Sequence, residues 1–93
     1  MSAFYALIHK DCDSDFGVSF PDLPGCISAG STLDEVRSLA GEALSLHLDG
    51  LVEDGARLPP PSALDVIAAH PHAVDAIAIL LIETSPHHQK ATA

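Results

Sequence analysis

The sequence predicts an α+β fold, a small antiparallel sheet packed against one long helix. Three observations predict it. Short apolar runs at residues 3–10, 16–20 and 26–30 are separated by turn-forming residues. Apolar residues then recur at three- and four-residue spacing between residues 33 and 54. An unbroken aliphatic run, residues 76–82, comes near the end of the chain. The predicted order is β-β-β-α-α-β, with the last strand pairing beside the first.

The first strand, residues 3–10, is apolar on both faces: Phe4, Ala6 and Ile8 on one, Tyr5 and Leu7 on the other. That pattern predicts cover on two sides. Asp11-Cys12-Asp13-Ser14-Asp15 then makes a polar hairpin loop with three acids. In the second strand Phe16, Val18 and Phe20 alternate with Gly17 and Ser19, the period of a half-buried strand. Pro21-Asp22-Leu23-Pro24-Gly25 predicts a rigid turn, because the prolines fix φ and the glycine accepts positive φ. Residues 26–30 return as a third strand and complete a meander.

Thr32 and Glu35 form a T-x-x-E capping box at the head of the long helix. Val36, Ala40, Ala43, Leu44, His47, Leu48, Leu51 and Val52 make its apolar face. Gly55 is the expected stop. Glu53 and Asp54 sit at the C-terminal end, where the helix dipole disfavours negative charge. Pro59-Pro60-Pro61 is a stiff connector. Ser62 is placed to cap a short helix over residues 63–69, closed by Pro71. Residues 74–84 read as a fourth strand buried on both faces, with a helical crossover that permits parallel pairing to the first. The predicted helices share one face of the sheet. Residues 1–84 are expected to form one domain, and residues 85–93 a polar, flexible tail.

Composition narrows the function. Thirteen acids against four Lys and Arg give the 93-residue chain a net charge of −9. That balance opposes direct binding to nucleic acid or an anionic membrane and favours a basic partner. No apolar run is long enough to span a bilayer. Two cysteines without C-x-x-C spacing, and no secretory leader pattern, predict reduced thiols in the cytoplasm. No metal site or cofactor is predicted. His70 and His72 are separated by Pro71, His87 and His88 fall in the predicted tail, and no third ligand is spaced to join Cys12 and Cys26. No serine carries a nucleophile motif and no glycine a phosphate loop. No catalytic residue is therefore assigned. Acids cluster at Asp11, Asp13 and Asp15, at Asp22, and at Glu53 and Asp54. As a set they predict a negative docking surface that speeds encounter with a basic protein.

Two runs, Gly17-Val18-Ser19-Phe20-Pro21-Asp22-Leu23-Pro24-Gly25-Cys26 and Ala29-Gly30-Ser31-Thr32-Leu33-Asp34-Glu35-Val36, resemble the HicB antitoxins of toxin–antitoxin pairs. Further parts of the resemblance are the apolar first strand and the Leu46-His47-Leu48-Asp49-Gly50-Leu51 helix end. It is strong over about residues 4–62 and weaker over 63–84. It implies a reduced ribonuclease H-like fold and a type II antitoxin. The implied partner is a small basic HicA-like toxin that cleaves mRNA, neutralised by covering its RNA-binding face. The resemblance also implies a DNA-binding segment after the last strand. No basic helix occupies that place here, so direct DNA binding is not expected of this chain. Two other functions are weighed: a residual metal-dependent ribonuclease H-like nuclease, and a self-assembling scaffold without a toxin. A nuclease would need converging carboxylates, yet the first strand has none before Asp11. Because a small sheet leaves open edges, a homo-oligomer, dimer or higher, is expected.

Overall fold

The computed structural model describes residues 3–10 and 13–84. The predicted tail, with His87 and His88, lies outside the described residues, as do Asp11 and Cys12. Four strands, β1 (Ala3–Lys10), β2 (Phe16–Ser19), β3 (Ile27–Gly30) and β4 (Ala78–Glu83), form one sheet in the order β3-β2-β1-β4. Helix α1 (Leu33–Glu53) follows β3; α2 (Leu64–Ala68) and a 3-10 turn (Pro71–Asp75) lie between α1 and β4.

The β2–β3 connection is two successive turns. Leu23 N–H donates to Phe20 O (2.9 Å), and Cys26 N–H to Leu23 O (3.0 Å). Pro24 and Gly25 occupy the centre of the second. Gly25 has φ +90°, which makes it a Pro-Gly turn of the type that needs a residue without Cβ. Thr32 caps α1, its Oγ1 accepting from Glu35 N–H at 3.1 Å. The reciprocal half of the predicted box is shifted by one residue. Glu35 Oε1 accepts from the N–H (2.7 Å) and hydroxyl (3.0 Å) of Ser31. The other end of α1 closes in a Schellman motif: Gly55 N–H donates to Val52 O (3.0 Å) and Ala56 N–H to Leu51 O (2.9 Å), with Gly55 at φ +73°.

The main core lies between α1 and one sheet face. Phe4, Ala6, Ile8, Val18, Phe20, Leu23, Cys26 and Ile82 meet Val36, Ala40, Leu44 and Leu48. At about 25 cal/mol per Å² of apolar area, burying such aliphatic side chains contributes roughly 1.5–3 kcal/mol each. Ala43, His47 and Leu51 are half-buried at its margin. Val52 departs from the predicted apolar face and is exposed, while its neighbour Leu51 packs against the core.

Four further expectations are corrected. β4 pairs with β1 antiparallel, from Ala3↔Glu83 to Ile8↔Ala78. The reason is that the chain crosses the sheet twice between β3 and β4. α1 starts beside Gly30, which pairs with Phe16, and runs back past Cys26, whose Sγ donates to Ala43 O (3.8 Å). Residues 62–77 then return to the end where β1 finishes, so β4 must run back along it. Second, the helices do not share one face. His9 alternates with the core residues Ile8 and Ala6, and its Nε2–H donates to His72 O (3.0 Å), placing the return segment on the face opposite α1. Leu7 points to that face and is fully buried; Ile67 of α2 is buried outside the α1-side cluster.

Third, Ser62 does not cap α2. The N-cap is Ala63, with no side-chain bond, because the Ser62 hydroxyl is committed to Asp22. Fourth, the strand begins at Ala78 rather than residue 74, since Pro71 at the first position of the 3-10 turn starts a helical bend that His70 caps, its Nδ1 accepting from His72 N–H (3.1 Å). As the edge of the sheet, β4 is buried only at Ile82, and Leu81 is exposed.

Candidate functional site

The predicted acids fall into separate places. Asp13 and Asp15 are exposed in the β1–β2 loop, at the end of the sheet where α1 begins. Lys10 crosses that loop, donating from Nζ to Ser14 O (2.8 Å) and standing 5.5 Å over the Phe16 ring. Asp11 lies outside the described residues. Glu53 and Asp54 are exposed at the other end of α1, Asp54 as its C-cap. Since α1 spans roughly 30 Å at 1.5 Å per residue, the two exposed groups stand at opposite ends of the domain. They do not form one contiguous surface.

Asp22 has a different surrounding. Its Oδ2 accepts from Ser62 N–H (2.7 Å) and its Oδ1 from the Ser62 hydroxyl (2.6 Å). Both bonds are partly buried and join residues forty positions apart. Asp22 thus fastens the start of the return segment to the β2–β3 turn. His9 fastens its far end through His72, and Ile67 plugs the middle. The segment is held at three points across the second sheet face.

Leu64, Val66, Val74 and Ile77 of this segment are exposed, Val74 by 84%. Asp65 and Asp75 are exposed among them, and no Lys or Arg occurs between Arg57 and Lys90. Sequence pattern assigns these side chains no surface role; their exposure is read from the folded segment.

Two groups have shifted protonation. The Ser31 N–H, then the Ser31 hydroxyl, hold the Glu35 carboxyl below its usual range, burial opposing weakly. Burial pushes the Cys26 thiol up to about 11, leaving it a neutral donor at the α1–β3 contact. An open groove of about 600 Å³ lies between Arg37, Ser38 and Gly41 of α1 and residues 81–84. Among the described residues no three His, Cys, Asp or Glu side chains are grouped to hold a metal ion, and no helix is long and apolar enough to cross a membrane.

This arrangement has known counterparts. Residues 4–93 match the family model of the HicB-like antitoxin of bacterial toxin–antitoxin systems. A 14.9 kDa protein from the rep–hol intergenic region of Haemophilus phage HP1 (strain HP1c1) is 37% identical over 73 residues, 78% of this chain and 55% of that protein. The crystal structure of the Burkholderia pseudomallei antitoxin HicB superposes with a TM-score of 0.78 at 31% identity, covering 91% of this chain and 64% of that one. A chain of the HicA3 and HicB3 toxin–antitoxin complex superposes with a TM-score of 0.74 at 28% identity, covering 91% of this chain and 100% of that one. The chain thus spans little more than half the length of the phage protein and under two thirds of the Burkholderia one. With a family match over nearly its whole length, and a four-stranded sheet and long helix in the same arrangement, the chain belongs to the HicB-like antitoxin family.

Proposed function

We propose that this chain is the antitoxin of a type II pair and neutralises a small, basic, HicA-like RNA-cleaving toxin by docking on it and excluding RNA. The observation that carries the reading is the family match over residues 4–93, set beside a net charge of −9. A chain of the same fold has been solved within a toxin–antitoxin complex. Occlusion needs no chemistry from the antitoxin, only a surface that stays in place.

The acids divide the work. Asp13, Asp15, Glu53 and Asp54 are exposed and steer the encounter, with Asp11 beside them in sequence. Asp22 acts indirectly, through Ser62, by holding the return segment. Co-expression tests the proposal: a short basic reading frame beside this gene should arrest growth alone and not when this chain accompanies it. Continued arrest with no complex on co-purification contradicts it.

We also infer at least a dimer. β4 is an edge strand with no Lys or Pro, Leu81 is exposed on it, and its one charge, Glu83, stands at its last position, so most of its length favours pairing with another strand. Light scattering that returns the monomer mass across the micromolar range contradicts this.

A further inference from the structure

The return segment, residues 62–77, exposes four large apolar side chains, although it is firmly fastened. Exposed aliphatics on a loose loop are ordinary; on a segment held at three points they form a lasting surface. Leu64 and Val66 belong to α2, Val74 to the 3-10 turn, and Ile77 to the entry of β4. Ile67, between them, is 1% exposed and cannot turn out. Asp22 and His9 fix the two ends. A surface ordered before binding loses little entropy when it docks.

The charge on it selects the occupant. Asp65 and Asp75 are the charged residues of the segment, and the whole stretch from 58 to 84 has no Lys or Arg. On this segment, exposed aliphatics set among acids with no base beside them favour a basic partner over a second copy of a chain charged −9.

We propose that the exposed side chains of residues 62–77 are the close-contact surface for the toxin, Leu64, Val66, Val74 and Ile77 supplying its apolar contacts and Asp65 and Asp75 its charge. This rests on the antitoxin reading above. Contact energy is concentrated here, while the acids at the two ends of α1 set the approach.

The experiment measures binding to the purified product of the adjacent basic reading frame, with its active site silenced. Variants of this chain are Val66→Lys, Val74→Lys and Asp65→Lys, with Leu46→Lys on the exposed side of α1 as control. Val74→Lys and Val66→Lys should each raise the dissociation constant roughly tenfold or more, and Leu46→Lys should leave it unchanged. Asp13→Lys with Asp15→Lys should slow association and weaken its salt dependence, with little change in dissociation rate. Circular dichroism and urea unfolding confirm that each variant is folded. Wild-type affinity in both valine variants overturns this surface and leaves the antitoxin reading standing; absence of wild-type binding overturns that reading itself. Valine variants that dissolve a self-complex without weakening toxin binding assign the surface to a second copy, and also overturn the proposal.

Discussion

The carboxylate of Asp22 grips Ser62 twice, at its main-chain N–H and at its hydroxyl, and closes a forty-residue loop that contains all of α1. The bond fixes where the chain turns back across the second face of the sheet. Hydrogen bonds to a charged acceptor contribute about 1.5–3 kcal/mol when buried, less when partly exposed as here. Asp22→Ala should therefore cost about 1–2 kcal/mol in urea unfolding. Ser62→Ala should cost less, because the N–H bond survives, and the double-mutant cycle should show coupling between the two.

Gly25 supplies the second half of the β2–β3 connection with φ +90°. A Cβ built there meets nothing within 4 Å, so the cost of a side chain is backbone conformation alone. Gly25→Ala is expected to destabilise by about 1–2 kcal/mol, measured by chemical unfolding. D-alanine introduced at the same position by synthesis should restore the loss, which a packing defect would not allow.

Cys26 should be inert in the folded protein. Its thiol is buried, donates to Ala43 O, and is pushed up to about 11. Reaction with a thiol reagent at neutral pH should proceed only as fast as the domain opens. The raised value means the folded state holds its proton more tightly than the unfolded chain, whose thiol titrates near 9.0. The contribution is intact below pH 9 and is lost as pH rises through 11, about 2–3 kcal/mol at about 1.4 kcal/mol per unit. Cys26→Ala should remove this alkaline fall in stability.

At the head of α1, Thr32→Ala should cost about 1 kcal/mol through loss of the cap. Glu35→Gln tests the Ser31 contact by its pH dependence. The native carboxylate is held below its ordinary range, so its contribution is present at neutral pH and lost as acid protonates it. Wild type should melt above Glu35→Gln at neutral pH, with the two converging in strong acid.

Local order in this chain was legible because its signals are local. The Pro24-Gly25 turn, the Thr32 cap, the Gly55 stop and the period of α1 need only neighbouring residues. The direction of β4 was not legible. It depends on residues 62–77 crossing the face opposite α1, and that route is set by Asp22–Ser62, Ile67 and His9–His72, contacts between residues far apart in sequence. For the same reason Ser62 resembled a helix cap, and β4 resembled a buried strand when it is an edge. The acids were visible singly; that α1 keeps Asp13 and Asp15 away from Glu53 and Asp54 follows only from strand pairing. The outward aliphatics of the return segment had the composition of core.

The most direct test of the account is inhibition of the toxin's own reaction. The purified adjacent basic protein is incubated with RNA, and this chain is titrated in. Cleavage should fall in proportion and vanish near equimolar addition, with RNA binding by the toxin lost in parallel. Undiminished cleavage in the presence of excess folded chain would contradict the claim that this domain neutralises by docking.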